Sequence, residues 1–196
     1  MKYAFFVTSS IACGKSTFLK IANSNGYKSI SADSIAHEIL EQNHDELMDI
    51  FNSKDIIKDN KINRKFIANL IFNDKNLKKR LEEFIHPKIK EEILKKSNEL
   101  DDFKKIYFIE IPLLFETKNY ENLAKIILIY STKELMLERL IKRDNLNKEE
   151  ALKRINSQID IEKKIKLADF VIKNLNTYEN FQQECVRFLK RLNEKV

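Results

Sequence analysis

The chain has 196 residues, of which 43% are hydrophobic and 34% charged. That is enough apolar material for one compact domain with a small insertion, and it excludes a disordered chain. Lys and Arg number 36 against 30 Asp and Glu, a net charge of +6. The excess is interleaved with acids, and its compact runs are short (Lys78-Lys79-Arg80, Lys163-Lys164). Charge therefore predicts a soluble surface with a mild pull on anions and no nucleic-acid partner. No stretch nears the roughly 20 apolar residues of a membrane span, and no secretory leader is expected.

Cys13 and Cys185 form no CxxC pair, and His37, His44 and His86 are scattered. A zinc centre and a disulfide scaffold are thus excluded, and the expected setting is reducing and cytoplasmic. Glycine and proline occur only twice each, so each marks a place where backbone geometry demands it.

In chain order, Lys2 to Thr8 is a short apolar, β-branched and aromatic run, the composition of a buried parallel strand. A loop follows, then a helix with Phe18, Leu19, Ile21 and Ala22 that stops near Gly26. Residues 27–31 predict a second strand, and Asp33 begins a helix holding Ile35, Ala36, Ile39 and Leu40. Residues 45–100 read as successive helices, with Phe66, Ile67, Leu70 and Ile71, then Leu81, Phe84, Ile85, Ile89, Ile93 and Leu94, at helical spacing. Residues 105–111 form a third strand ended by Pro112, and 124–130 a fourth. Helices are expected over 134–143 and about 147–167, a fifth strand over 168–172, and a closing helix over 177–192. Strands alternating with helices specify an α/β fold with a mainly parallel sheet.

The most specific signal is residues 9–16, which read S-x-x-x-x-G-K-S between a strand and a helix. This is a Walker A loop with Ser9 in place of its leading glycine. Loop amides wrap a phosphate, and the helix that follows adds its positive end. Lys15 is expected to reach the β- and γ-phosphates, and Ser16 to place its hydroxyl on Mg²⁺. Ala12, Cys13, Gly14 and Thr17 complete the nucleotide contacts. The competing reading makes Gly14-Lys15-Ser16-Thr17 a plain helix start.

The chain resembles the dephospho-coenzyme A kinase family over about residues 3–174. The resemblance rests on Thr8 to Ser16 against T-G-G-I-G-S-G-K-S, on Ser31-Ala32-Asp33 against D-A-D, on Asn63-Arg64-Lys65-Phe66-Ile67, and on His86-Pro87-Lys88-Ile89. It continues through Pro112-Leu113-Leu114-Phe115-Glu116 and Arg139-Leu140-Ile141-Lys142-Arg143-Asp144 to Gln158 and Ala168 to Asn174. It implies a P-loop, nucleoside-monophosphate-kinase-like fold with a five-stranded parallel sheet. The core would be about 1–42 and 101–196, with a lid at about 132–160 and a helical acceptor-binding insertion at about 43–100. It also implies ATP-dependent phosphorylation of the ribose 3′-hydroxyl of dephospho-CoA, with ATP and Mg²⁺ as cofactors.

Asp33 is the candidate to receive the hydroxyl proton; its alternative is a helix N-cap. Arg139 and Arg143, four apart on one helix, would neutralise charge on the transferring group, or else form a solvated face. Arg64, His86 and Lys88 would bind the anionic acceptor, although His86-Pro87 also reads as a helix start. Glu116 is expected to reach the site and Asn174 to lie against adenine, with a turn residue as the other reading of Asn174. Cys13, just before a helix N-terminus, is expected to have a lowered pKa if reactive, or to be a tolerated small residue. Lys15, Asp33 and Arg139 are the catalytic candidates. The expected partners are the two small-molecule substrates, with no membrane and the chain a monomer or weak homo-oligomer. Rival readings are another small-molecule kinase, a nucleotide-dependent switch, and a basic nucleic-acid binder.

Overall fold

The structure, a computed structural model, describes residues 1–117, 120 and 122–194. By internal contacts the chain divides into two compact units, 1–31 with 96–196, and 32–95.

The first unit is built on a parallel sheet ordered β2-β5-β1-β6-β7. Its strands are β1 (Ala4–Ser9), β2 (Lys28–Ser31), β5 (Tyr107–Glu110), β6 (Lys125–Tyr130) and β7 (Phe170–Lys173). All six residues of β1 are buried, as expected of a central strand covered on both faces. The edge strands β2 and β7 each have one buried residue. Each strand is shorter than its apolar run because the flanking residues leave the ladder: β5 starts at Tyr107, not Lys105, and β7 at Phe170, not Ala168.

The chain leaves β1 towards the β5/β2 side, and β6 returns on the opposite side of β1. Open α/β sheets bind ligands outside the carboxyl ends of strands at such a reversal. Helix α1 (Lys15–Ser24) buries Phe18, Leu19, Ile21 and Ala22. The Phe18 ring meets those of Phe108 at 5.3 Å and Phe188 at 6.4 Å, both edge-on. Burying each large apolar side chain contributes about 1.5–3 kcal/mol, enough to hold a strained turn in front of the helix. The rest of this unit comprises α6 (Leu114–Thr117), α7 (Lys133–Asp144), α8 (Lys148–Asn156), α9 (Ile161–Ile165) and α10 (Tyr178–Asn193).

The second unit contains α2 (Ala32–Gln42), α3 (His44–Phe51), a hairpin of β3 (Ile57–Lys58) and β4 (Lys61–Ile62), and α4 (Arg64–Asn73). It also holds residues 75–95 of α5 (Lys75–Asp101), the remainder of which belongs to the first unit. Its core gathers Leu47, Phe51, Ile56, Ile62, Ile67 and Leu81. The unit begins at Ala32, not about 43, because α2 packs with α3 and β4.

Two local expectations fail here. The hairpin replaces part of the all-helical reading; its turn residues Asp59 and Asn60 both have positive φ, 51° and 59°. Asp and Asn tolerate that conformation better than most residues. Pro87 does not start a helix but lies inside α5. The start is instead capped by Asp74, whose Oδ1 accepts from the amides of Asn76 at 2.7 Å and Leu77 at 3.1 Å. Pro87 is exposed, so water can reach the Glu83 carbonyl that a residue with an N–H would have bonded.

Candidate active site

The loop from Ser9 to Gly14 leaves the carboxyl end of β1. The Cys13 amide donates to the Ser10 carbonyl at 3.4 Å, closing a turn. Ala12 then takes φ +62°, and Gly14 takes φ +101° with ψ +21° just before α1. The α1 N-terminus has no side-chain cap and no acid in its first turn. Its leading amides have no intrahelical acceptor, and with the helix dipole they favour an anion.

Gly14 is required at its place. A Cβ there would meet Asn174 Nδ2 at 2.4 Å. Asn174 is buried just after β7, and its Nδ2 donates to the Cys13 carbonyl at 2.9 Å. Its own carbonyl accepts from Ser131 Oγ at 2.9 Å and from Arg139 at 3.2 Å, and its Oδ1 from Arg139 at 3.3 Å. Arg139 also donates to Ser131 Oγ at 3.1 Å. Asn174 is therefore more than a turn residue: it ties the phosphate loop to Arg139 of α7.

Lys15 pairs with Glu110 at the carboxyl end of β5, both largely shielded from solvent. Residues 105–111 betray Glu110 only as one acid in an apolar strand, and the sequence reading assigned it no role. Arg143 departs from Arg139: it is exposed and clasps Asp144 at 2.7 and 3.1 Å, and Arg154 reaches the same carboxylate at 3.0 Å. The side-chain bonds and charge of Arg143, with that of Arg154, hold the Asp144 carboxyl below its usual range, outweighing a small desolvation.

Glu116 is engaged structurally. Its Oε1 lies 2.8 Å from the fully buried Lys164 ammonium and accepts from the Ile159 amide at 3.1 Å. Lys164 sits on a charged run of α9 with nothing in its spacing to mark it as buried. Cys13 contradicts the lowered-pKa expectation. It is 1% exposed, and burial pushes its thiol up to about 11, against smaller opposing effects of neighbouring hydrogen bonds, Lys164 and Arg139. The helix N-terminus does not activate a thiol that is kept out of water.

Beside Ser10 opens a cavity of about 840 Å³ whose lining sets Glu134, Asp160 and Glu162 against Lys133 and Lys163. With acids outnumbering bases, the amide turn and not this cavity suits a triphosphate. Among the described residues no cluster of three or more His, Cys, Asp and Glu is placed to hold a metal.

In the second unit, Asp33 is exposed in the first turn of α2. The helix begins at Ala32, so Asp33 is not the N-cap. Arg64 opens α4, with its guanidinium 3.2 Å from both ring nitrogens of His37. Lys88 lies over the Phe84 ring at 5.0 Å, and His86, between the two along α5, is half-buried.

A five-stranded parallel sheet with this loop defines a P-loop kinase. A shikimate kinase from Acinetobacter baumannii, 14% identical, shares the fold at a TM-score of 0.53 over 98% of this chain and 93% of its own. The dephospho-CoA kinase family profile matches residues 4–180. A dephospho-CoA kinase of Campylobacter jejuni is 54% identical over 99% of this chain and 98% of its own length. One of Helicobacter pylori is 39% identical over 98% of each. The solved Campylobacter jejuni dephospho-CoA kinase superposes with a TM-score of 0.82 at 53% identity, covering 98% of both chains. The chain belongs to the dephospho-CoA kinase family.

Proposed function

We propose that this kinase transfers the γ-phosphoryl group of ATP to the ribose 3′-hydroxyl of dephospho-CoA, giving coenzyme A and ADP in the last step of coenzyme A synthesis. The observation that carries the reading is the join of loop, Lys15, Arg139 and Asn174 at the carboxyl edge of the sheet, in a chain of this family. Among the described residues no helix is long and apolar enough to cross a membrane, and the buried free thiols Cys13 and Cys185 suit the cytoplasm.

Phosphoryl transfer of this kind is positioning and charge stabilisation. The amides of Ala12 to Thr17 hold the triphosphate, and Lys15 exchanges Glu110 for phosphate oxygens. Arg139, fixed through Ser131 and Asn174, supports charge on the transferring group with its planar fork. Magnesium fits the donors present: Ser16 and Glu110 would hold it together with phosphate oxygens and water, the sparse protein ligation this ion prefers. When bound, it neutralises charge on the β- and γ-phosphates. Asp33 receives the acceptor proton. Arg64, Lys88 and His86 serve the anionic acceptor, whose pyrophosphate calls for bases. Glu116, already tied to Lys164 and Ile159, supports the fold of the site instead of meeting substrate.

A coupled ADP-release assay tests the reading. Asp33→Asn is expected to lower kcat by about 10²-fold or more with ATP binding retained, the usual contribution of a positioned base. Native turnover by Asp33→Asn would remove the assigned base, and preference for a nucleoside monophosphate over dephospho-CoA would remove the acceptor.

A further inference from the structure

This phosphate loop carries Ser9, Ser10 and Ala12 before its one glycine, Gly14. Ala12 nevertheless stands at φ +62°, a conformation that a residue with a Cβ keeps only where its surroundings impose it. The Ile11 amide, next to that strained residue, donates to Gln158 Oε1 at 3.0 Å across a separation of 147 residues.

Gln158 is itself held. Its amide donates to the Ile155 carbonyl at 3.3 Å at the end of α8. The next amide, Ile159, is taken by Glu116, whose carboxylate is pinned by buried Lys164. Asp160 then caps α9, accepting from the Glu162 amide at 2.9 Å. The acceptor oxygen thus projects from a short segment fixed on three consecutive residues.

We infer that Gln158 is a positioning residue for ATP: its amide oxygen holds Ile11 and so keeps the turn through Ala12 in the shape that presents residues 12–17 to the triphosphate. A tertiary hydrogen bond supplies here what loop glycines supply through backbone freedom. The inference rests on the reading of residues 9–16 as the ATP loop. It predicts that losing the bond lets the empty loop relax, so that ATP must restore the turn when it binds. ATP affinity then falls, while kcat at saturating ATP and KM for dephospho-CoA hold.

The test uses Gln158→Met, which keeps the side chain's length and removes its acceptor, with and without Ala12→Gly, and Lys15→Ala as the loop control. ATP affinity is measured by calorimetry and turnover by ADP release. Gln158→Met is expected to bind ATP about fivefold to thirtyfold more weakly, the range that one strained residue converts to. Its kcat should stay within about twofold, and Ala12→Gly should restore most of the affinity because glycine adopts the turn without strain. Native affinity in Gln158→Met, or a loss that Ala12→Gly does not relieve, overturns the inference while a weakened Lys15→Ala leaves the loop reading standing. Native ATP affinity in Lys15→Ala overturns both. Hydrogen exchange on the unaltered protein without ATP gives an answer independent of folding in the variants: the Ile11 amide should be protected, and free exchange there overturns the clamp.

Discussion

Gly14→Ala perturbs the point where the loop, Arg139 and the last strand are joined. At φ +101° an alanine pays about 1–2 kcal/mol for entering the left-handed region. Its Cβ would lie 2.4 Å from Asn174 Nδ2, so the Asn174 amide must move. That motion breaks its 2.9 Å bond to the Cys13 carbonyl and loosens the contact of Arg139 with Asn174 Oδ1. Each lost hydrogen bond costs about 1 kcal/mol. The sum is about 3–4 kcal/mol of stability, a large part of the typical 5–15 kcal/mol of a folded domain. Urea unfolding of the native and variant proteins measures it, and ATP titration should show affinity lowered at least tenfold. Adding Asn174→Ala removes the clash but not the backbone strain, so the double variant should cost less than the sum of the two single changes. A Gly14→Ala protein within 0.5 kcal/mol of native stability, or one binding ATP normally, would refute this account of the junction.

Other outcomes follow from buried groups. Lys164→Met leaves the Glu116 carboxylate without its counter-charge and should destabilise by about 3–5 kcal/mol, whereas Lys164→Met with Glu116→Leu should recover much of that loss in the same urea assay. The Cys13 thiol, raised from 9.0 to about 11 by burial, holds its proton more tightly folded than unfolded. Its contribution to stability is therefore complete below about pH 9 and lost as pH climbs towards 11. Thermal melts of the native protein should fall over that window, and Cys13→Ala should flatten part of the decline. At pH 8 the folded protein should leave Cys13 unmodified by a thiol reagent that labels it in urea; rapid native-state labelling would show the thiol to be accessible.

Local chemistry made several features readable without coordinates. The apolar, aromatic run Ala4-Phe5-Phe6-Val7 of β1 announces a central parallel strand because both its faces must be covered. The Gly-Lys-Ser stretch after it announces an anion-binding turn because it stands between a strand and a helix and holds one of only two glycines in the chain. Glu110 was hidden because one acid in an apolar strand has meaning only when the neighbouring strand brings Lys15 beside it. Lys164 was hidden because its place in a charged run gives no hint of burial. Pro87 misled because a proline at the first helical turn and a solvated proline inside a helix look alike in one dimension.

Sequence periodicity and backbone preference thus determined the alternating elements, the parallel sheet and the position of the phosphate turn, since these depend on residues close together along the chain. Folding alone decided which distant groups close the site: Asn174 on Cys13 and Arg139, Glu110 on Lys15, Gln158 on Ile11. The same burial decided between the two readings of Cys13, making it an inert thiol and not an activated one. Hydrogen bonds and desolvation act over a few ångströms of space, and partners 35 to 161 positions apart become neighbours only once the sheet is assembled.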